Sequence, residues 1–393
     1  MDVCKIVKDE RYVEEFISLL NYCFGVKEEE VKFELECLFG KDESVILGAI
    51  DQELLQGALV INDFNIFWHG MNVKMGGIGG VSTFPEAREK HVVAKLIGEA
   101  LKIMYDDHQV FSLLAPFSYA FYRKYGWEWG TSRKVLEINI SDLSHFKSGN
   151  YLVRPISQEC IDQIKEVYET HYSNYNGPNK RTNLRWEILF KQSKRNDIYS
   201  YGVYDDQDRL CGYIFYKVED KTMRIIEMGY TSLSVKKQLL RFMYVHRAQV
   251  DKIVMTVPEN DNTMLLLNNQ AQDVKLYSGM MVRVVDVKRL LEIYPYKKTM
   301  DLDFSISIKD EYASWNNKIF SVSKNVKEIK VDEGVIDQAD ISCSIQVFSQ
   351  IAFGFLSFKE ADELGFITCE NKLLLEKINE LMMVKPTFIT DSF

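Results

Sequence analysis

The segment Phe121-Tyr122-Arg123-Lys124-Tyr125-Gly126-Trp127 begins thirty-three positions after Arg88. Between them these residues offer two chemical capacities, a seat for an anion and a phenol beside it. Pro85-Glu86-Ala87-Arg88-Glu89-Lys90 reads as a turn leading into apolar positions Val92, Val93, Leu96, Ile97, Ala100, Leu101 and Met104. That spacing is helical, with one buried face. The first N–H groups of such a helix lack partners within it and attract an anion, and Arg88 and Lys90 add positive charge there. A strand over 110–114 follows, then a short helix ending at Gly126, which brings Tyr122 near the same N-terminus. A phenol so placed can give a proton to a leaving group. Its alternative role is that of a core aromatic, since aromatics often fill such helices.

Three blocks of elements must position these groups. Residues 1–148 carry helices near Val13–Phe24 and Glu28–Leu38, then strands around 44–50, 54–65, 71–74 and 80–83. The long helix over 86–106, the strand 110–114, the short helix and a strand over 132–140 complete the block. Adjacent strands with intervening helices predict an α/β layer with a mixed sheet. Residues 149–288 replay that order, with a helix over 160–172 and strands at 199–204, 210–218 and 222–228. A helix beginning at Leu233 and strands at 252–257 and 279–285 follow, which suggests an internal duplication. Before its long helix the second copy reads Thr231-Ser232-Leu233-Ser234-Val235-Lys236-Lys237, without the arginine-bearing turn, so it is expected to be structural. From 289 onward, alternation at Leu302, Phe304, Ile306 and Ile308 predicts a half-buried sheet, followed by helices near 344–354, 358–364 and 369–383. That order indicates a small α+β unit. Its apolar stripe of Ile345, Phe348, Ile351, Ala352 and Phe355 is read as core.

Composition bounds the possibilities. A chain of 393 residues has material for two or three domains. The seven cysteines are scattered and never form a CxxC pair, as in a reduced, cytoplasmic protein. Six isolated histidines show no metal-ligand spacing, so no metal is expected. No apolar run is long enough to span a bilayer, and MDVCKIVKDERY has no signal-peptide core, so no membrane role is expected. The net charge of −9, from 57 acidic and 48 basic residues without a basic tract, argues against nucleic acid. An acidic field attracts cationic partners, although it also serves solubility alone.

The turn and the tyrosine helix together resemble motifs A and B of the GNAT acyltransferases, and so imply acetyl-CoA as cosubstrate. The resemblance implies that the pyrophosphate lies on the turn and helix start, at Arg88, Glu89, Lys90, His91 and Val92. It also implies contacts from Val81, Thr83, Ser118 and Tyr119. A splayed strand before the helix would offer the backbone N–H of Val81 to the oxyanion that forms during acyl transfer. His91 departs from the motif, which has glycine there so that backbone can approach phosphate. His91 can donate to phosphate, crowd it, or face solvent. Gly76-Gly77-Ile78-Gly79-Gly80 looks like a phosphate loop but precedes a strand, which points to a bulge or to flexibility. Trp127 and Trp129 are placed to line an acceptor cleft, with packing as the default role.

Over the whole chain, the three-block layout and the ending Pro386-Thr387-Phe388-Ile389-Thr390-Asp391-Ser392-Phe393 resemble the Eis (enhanced intracellular survival) N-acetyltransferases. This implies tandem GNAT-type mixed-sheet domains followed by a sterol-carrier-like α+β domain. It further implies direct acetyl transfer to amines of a cationic acceptor (aminoglycoside, polyamine or lysine-containing peptide) and a hexameric homo-oligomer. Tyr122 would be the general acid and the C-terminal carboxylate of Phe393 the base. A frayed end is the other reading of Phe393, but Phe388 and Ile389 before it suggest a tail that docks. Two other classes stand beside this one: a non-catalytic CoA sensor, and a carrier or scaffold built on the third unit.

Overall fold

The computed structural model describes all residues except 1, 7–9, 30, 33–43, 148, 335–337, 383 and 392. The helix expected near Glu28–Leu38 falls largely outside the described residues. The first block supplies β1 (Asp2–Lys5), α1 (Glu10–Phe24), β2 (Ser44–Asp51), β3 (Leu54–Trp68) and β4 (Met71–Thr83). These are followed by α2 (Val92–Asp106), β5 (Phe111–Leu114), α3 (Tyr119–Arg123), β6 (Glu128–Trp129) and β7 (Ser132–Asn139). The second block contributes β8 (Leu152–Pro155), α4 (Ile161–Tyr172), α5 (Asn183–Arg195), β9 (Tyr199–Tyr204), β10 (Leu210–Glu219) and β11 (Thr222–Tyr230). It continues through α6 (Leu233–Val245), β12 (Lys252–Val257), β13 (Asp273–Ser278) and β14 (Met281–Val284). The third has α7 (Val287–Ile293), β15 (Leu302–Lys309), β16 (Ile319–Lys324), β17 (Ile329–Glu333) and β18 (Ile341–Ser344), then α8 (Ile345–Phe353), α9 (Phe358–Glu363) and α10 (Lys372–Leu381).

Two seven-stranded sheets run β1-β2-β3-β4-β5-β14-β6 and β13-β7-β12-β11-β10-β9-β8, and a four-stranded sheet runs β17-β16-β15-β18. Each large sheet has one parallel pair, β4–β5 and β11–β12. Parallel neighbours need a crossover, and α2 and α6 provide it. Six of the seven apolar positions of α2 are buried, Val93 being half-buried, and Leu96, Ile97, Ala100 and Leu101 are fully buried.

Three expectations are corrected. The strand expected to close the first block, β7, pairs with β12 and β13 in the second sheet, while β14 of the second block pairs with β5 and β6 in the first. The two units therefore exchange their late strands. The strands expected at 71–74 and 80–83 are one strand, β4, that runs through the glycines. Its register with β3 passes from Val60↔Gly79 to Ala58↔Ser82, leaving Gly80 and Val81 opposite Leu59 as a bulge. The long helix begins at Val92 and not at 86, because a short 3-10 turn at Pro85–Ala87 and a turn over 88–91 precede it.

Candidate active site

The anion seat is built from the turn before α2. Arg88, Glu89, Lys90 and His91 are all exposed, and Glu89 and His91 hold φ of 64° and 57°. Left-handed backbone costs a residue with a Cβ roughly 1–3 kcal/mol. The turn thus keeps a conformation suited to glycine without having glycine. His91 is the N-cap of α2, and no side chain caps the N–H groups that follow it. Uncapped first-turn donors, with Arg88 and Lys90 at the same place, fit a pyrophosphate. The His91 side chain is exposed, as are those of Arg88, Glu89 and Lys90.

Beside this seat the first sheet splays. β4 and β5 pair from Met75↔Phe111 to Ile78↔Leu114 and then part, β4 continuing through the bulge while the chain after Leu114 turns away. The wedge opens into a cavity of about 520 Å³. Val81 and Tyr122 both line it. The Tyr122 ring is packed edge-on to Phe117 and Phe121, with centroids at 5.5 and 5.1 Å. Its hydroxyl makes no hydrogen bond to any described residue, and burial, with Tyr125 nearby, pushes its pKa well up. The phenol stays protonated, in a residue that lines the cavity.

The chain's end enters the same cavity. The Phe393 ring lies 4.9 Å from Phe64, and a Cβ on Gly79 would stand 3.1 Å from the Phe393 carboxyl carbon. Glycine at 79 therefore lets the terminal carboxylate lie against the strand beside the bulge. The tail reaches this point along a prepared track. Asn176 N–H donates to the Pro386 carbonyl and Phe388 N–H to the Asn176 carbonyl, both at 2.9 Å. Phe388 is buried, and the Tyr168 hydroxyl meets that of Thr390 at 2.8 Å. Arg181 completes the attachment: Nε donates to Asp391 at 2.8 Å and Nη1 to Glu227 at 2.9 Å. The guanidinium is buried over the rings of Tyr168 and Trp186. Burial alone would lower its pKa, but Asp391 and Glu227 reverse this and hold it fully charged.

β14 of the second block and the third unit together hold the tyrosine helix from behind. Arg283 on β14 donates to the Tyr125 carbonyl at 2.6 Å and to both oxygens of Asp310. A Cβ on Gly126 would lie 1.4 Å from the Arg283 guanidinium, and Gly126 has φ 93°, so only glycine serves there. Gln346 and Gln350 of α8 donate to the carbonyls of Arg123 and Trp129 at 2.9 and 2.8 Å.

Of the residues expected in the site, the structure brings Val81, Tyr122 and Phe393 to one cavity, and gathers Arg88, Glu89, Lys90, His91 and Val92 at the start of α2. Thr83, half-buried, ends β4. Ser118 and Tyr119 have internal duties: Ser118 Oγ caps α3 by accepting from Phe121 N–H, and the Tyr119 hydroxyl donates to the Gly279 carbonyl at 2.6 Å. Trp127 is fully buried core, and Trp129 packs 4.9 Å from Phe355, so neither lines the cavity. Sequence reasoning missed Arg181, Glu227, Gln346 and Gln350. Only Asp391 left a signal, as an acidic residue two positions before the end.

The second sheet splays in the same way. β11 and β12 pair from Thr222↔Lys252 to Ile225↔Met255 and then part around a cavity of about 580 Å³. The start of α6 is closed, however. Ser232 caps it by accepting from Val235 N–H, and the buried Lys236 Nζ lies 2.8 Å from Asp261.

Comparison with known proteins agrees with this geometry. Residues 6–130 and 177–284 match models of GNAT acetyltransferase domains, and 287–389 match a sterol carrier protein domain. The chain carries two GNAT acetyltransferase domains and shares the fold of Eis1. Mycobacterium abscessus Eis1 superposes with a TM-score of 0.81 at 18% identity, covering 100% of both chains. A probable N-acyltransferase from Enterococcus faecalis gives a TM-score of 0.92 at 23% identity, covering 100% of this chain and 99% of that one. A GCN5-related N-acetyltransferase from Anabaena variabilis gives 0.89 at 20%, covering 100% of both. No curated protein matches the sequence. Among the described residues no helix is long and apolar enough to cross a membrane.

Proposed function

We propose that this acetyltransferase moves the acetyl group of acetyl-CoA directly to an amine in a ternary complex, with Tyr122 as acid and the Phe393 carboxylate as base. The observation that carries the reading is that Tyr122, Phe393 and the bulged part of β4 line one cavity, with the Phe393 carboxyl carbon against Gly79. Acetyl-CoA supplies an activated thioester, and the uncapped start of α2 with Arg88 and Lys90 holds its phosphates. The Val81 N–H, freed by the bulge, faces the place where the acyl oxygen gains charge. The amine arrives as an ammonium of pKa ~10.4, against ~3.5 for an ordinary α-carboxyl. The ammonium must lose its proton before it attacks, and the carboxylate takes it directly or through a water. Tyr122, held protonated by burial, donates a hydrogen bond to the departing sulfur. A thiolate in the same apolar wedge is raised in pKa by the same cause, which favours its taking the proton.

The family likeness extends the reading to a hexameric, cytoplasmic protein, testable by sedimentation equilibrium and fractionation. The test of function is a titration of untagged protein with acetyl-CoA, with CoA and ATP as controls, followed by thiol release on adding amines. Saturable stabilisation by both CoA species, then amine-dependent thiol release, is the expected result. Absence of any thermal shift at millimolar acetyl-CoA would sink the reading.

A further inference from the structure

The splay of the second sheet, whose helix start is closed, still encloses a cavity of about 580 Å³, enough for a drug-sized molecule. Thr231 N–H donates to the Cys211 carbonyl at 3.0 Å, and the ladder of β10 and β11 continues from Gly212↔Tyr230 to Phe215↔Glu227. Antiparallel ladders alternate between bonded and non-bonded pairs, and a bonded residue exchanges both its N–H and its carbonyl. Met228 and Tyr230 therefore turn both groups away from β10, toward the splay. The Met228 carbonyl is met there by the Tyr172 hydroxyl at 2.9 Å. The N–H groups of Met228 and Tyr230 donate to no described residue across the splay. Tyr175 and Tyr230 line the cavity, with hydroxyls that bond to no described residue, and the exposed guanidinium of Arg133 stands on its wall. The carboxylates of the described lining are committed. Asp261 accepts from Lys236 and from Thr263 N–H at 2.8 Å each, Glu227 from Arg181 and Tyr213, and Asp391 from Arg181 and Thr390. Free donors beside neutralised carboxylates and aromatic rings suit a ligand that brings oxygen acceptors on a flat apolar body.

The C-terminal tail forms another wall. Phe388, Ile389, Thr390 and Asp391 line this cavity, and Asp391 lines the cavity of Tyr122 as well. A molecule seated here touches the tail only while the tail is docked, and a ligand that favours one of two states draws the protein toward it. We infer that the second cavity binds a small aromatic carboxylate, its charge taken by these donors and its ring beside Phe388, and that the bound molecule holds the tail in place. Neither half of this depends on the transfer chemistry proposed above.

The test is calorimetric titration of the untagged full-length protein with indole-3-acetate, indole-3-acetamide and tryptamine, one ring system carrying three different charges. Indole-3-acetate should bind about tenfold tighter than either of the others, the usual worth of a hydrogen bond to a charged group. Arg133→Gln should remove most of that advantage. Thr256→Trp, which fills the cavity from an exposed position, should abolish binding, and both variants should keep their stabilisation by acetyl-CoA. Hydrogen exchange then reads the tail. With indole-3-acetate bound, the Phe388 amide, which donates to the Asn176 carbonyl, should exchange at least about threefold more slowly. Equal binding of the amide or the amine, binding undisturbed by either substitution, or no binding at millimolar indole-3-acetate overturns the inference. Tail exchange unchanged by bound indole-3-acetate overturns it too. None of these outcomes touches the transferase reading, which amine-dependent thiol release decides separately.

Discussion

The first turns of α2 and α6 occupy equivalent places in their sheets but face different surroundings. At α2 the donors are uncapped, the turn before them is held in left-handed backbone, and two basic side chains lie free in solvent at the same place. At α6 the cap is a serine, and the cation that could meet a phosphate is buried against Asp261. Burial alone would raise the Asp261 pKa, but Lys236 and Thr263 outweigh it and keep the carboxylate ionised below its usual range. One helix start is left unsatisfied in the free protein, and the other has satisfied itself. The fold thus supplies the splay and the crossover helix twice, and the two helix starts differ by a few side chains.

That contrast can be broken most sharply at the chemistry. Tyr122→Phe should lower kcat by about 10²–10⁴-fold, the usual worth of a positioned acid, with little change in acetyl-CoA affinity. Steady-state thiol release combined with calorimetric binding checks this. A few residues added after Phe393 should have an effect on kcat of similar order, since they remove the carboxylate from Gly79. Equal rates for the extended and native proteins would refute the base assignment. Arg181→Met is next. It leaves Glu227 and Asp391 without their buried partner and should destabilise the fold by about 3–5 kcal/mol in denaturant melts. The milder Asp391→Asn should spare stability more and reduce kcat by letting the tail wander.

The two units also share a pH response. Burial, with the Lys385 charge in support, lowers the pKa of His69 to about 4. His171 in the second unit is lowered to about 4, chiefly by burial and then by Lys236. Both should be neutral in the folded chain and titrate near 6.5 when unfolded. The unfolded state therefore binds more protons between pH 6.5 and 4, so stability present at neutral pH is lost as pH falls through that window. The loss should reach about 3 kcal/mol per histidine at most, and His171→Gln should flatten the profile measured by chemical denaturation. The smallest effect concerns the turn. His91→Gly should relieve left-handed strain by about 1 kcal/mol and leave or improve acetyl-CoA affinity. The equivalent gain is absent at Ser232, where glycine would only remove a cap.

Where sequence was a good guide, the signal was local. Strands at 199–204 and 252–257 have the expected bounds, and the apolar spacing of α2 named its buried face. The glycine-rich stretch reads as a bulge or a flexible segment; it contains a bulge, and it is also the surface on which the chain's end rests. α5 went unread because its apolar residues are sparse among polar ones, although Trp186 and Ile188 are buried. β13 is exposed along its whole length and has no buried face to betray it. The Arg181 attachment could not be read at all. It joins residues 181, 227 and 391, and nothing in a single sequence records which distant charges meet. The strand exchange was hidden for a related reason: alternation announces a strand, not its neighbours.

That exchange governs how the molecule can be taken apart. A cut near residue 148 looks safe on block boundaries, yet it would strand β7 with the wrong fragment and deprive the first sheet of β14, which lies between β5 and β6. Neither fragment alone could then seat the tyrosine helix, because Arg283 would be missing from beneath Gly126. Two separately produced fragments should stay poorly folded until mixed, and then recover together by complementation. The pairings of β14 with β5 and of β7 with β12 span long stretches of chain, so assembly should be slow and cooperative across both sheets. Each half thus completes the other's sheet, and neither can be removed without opening both.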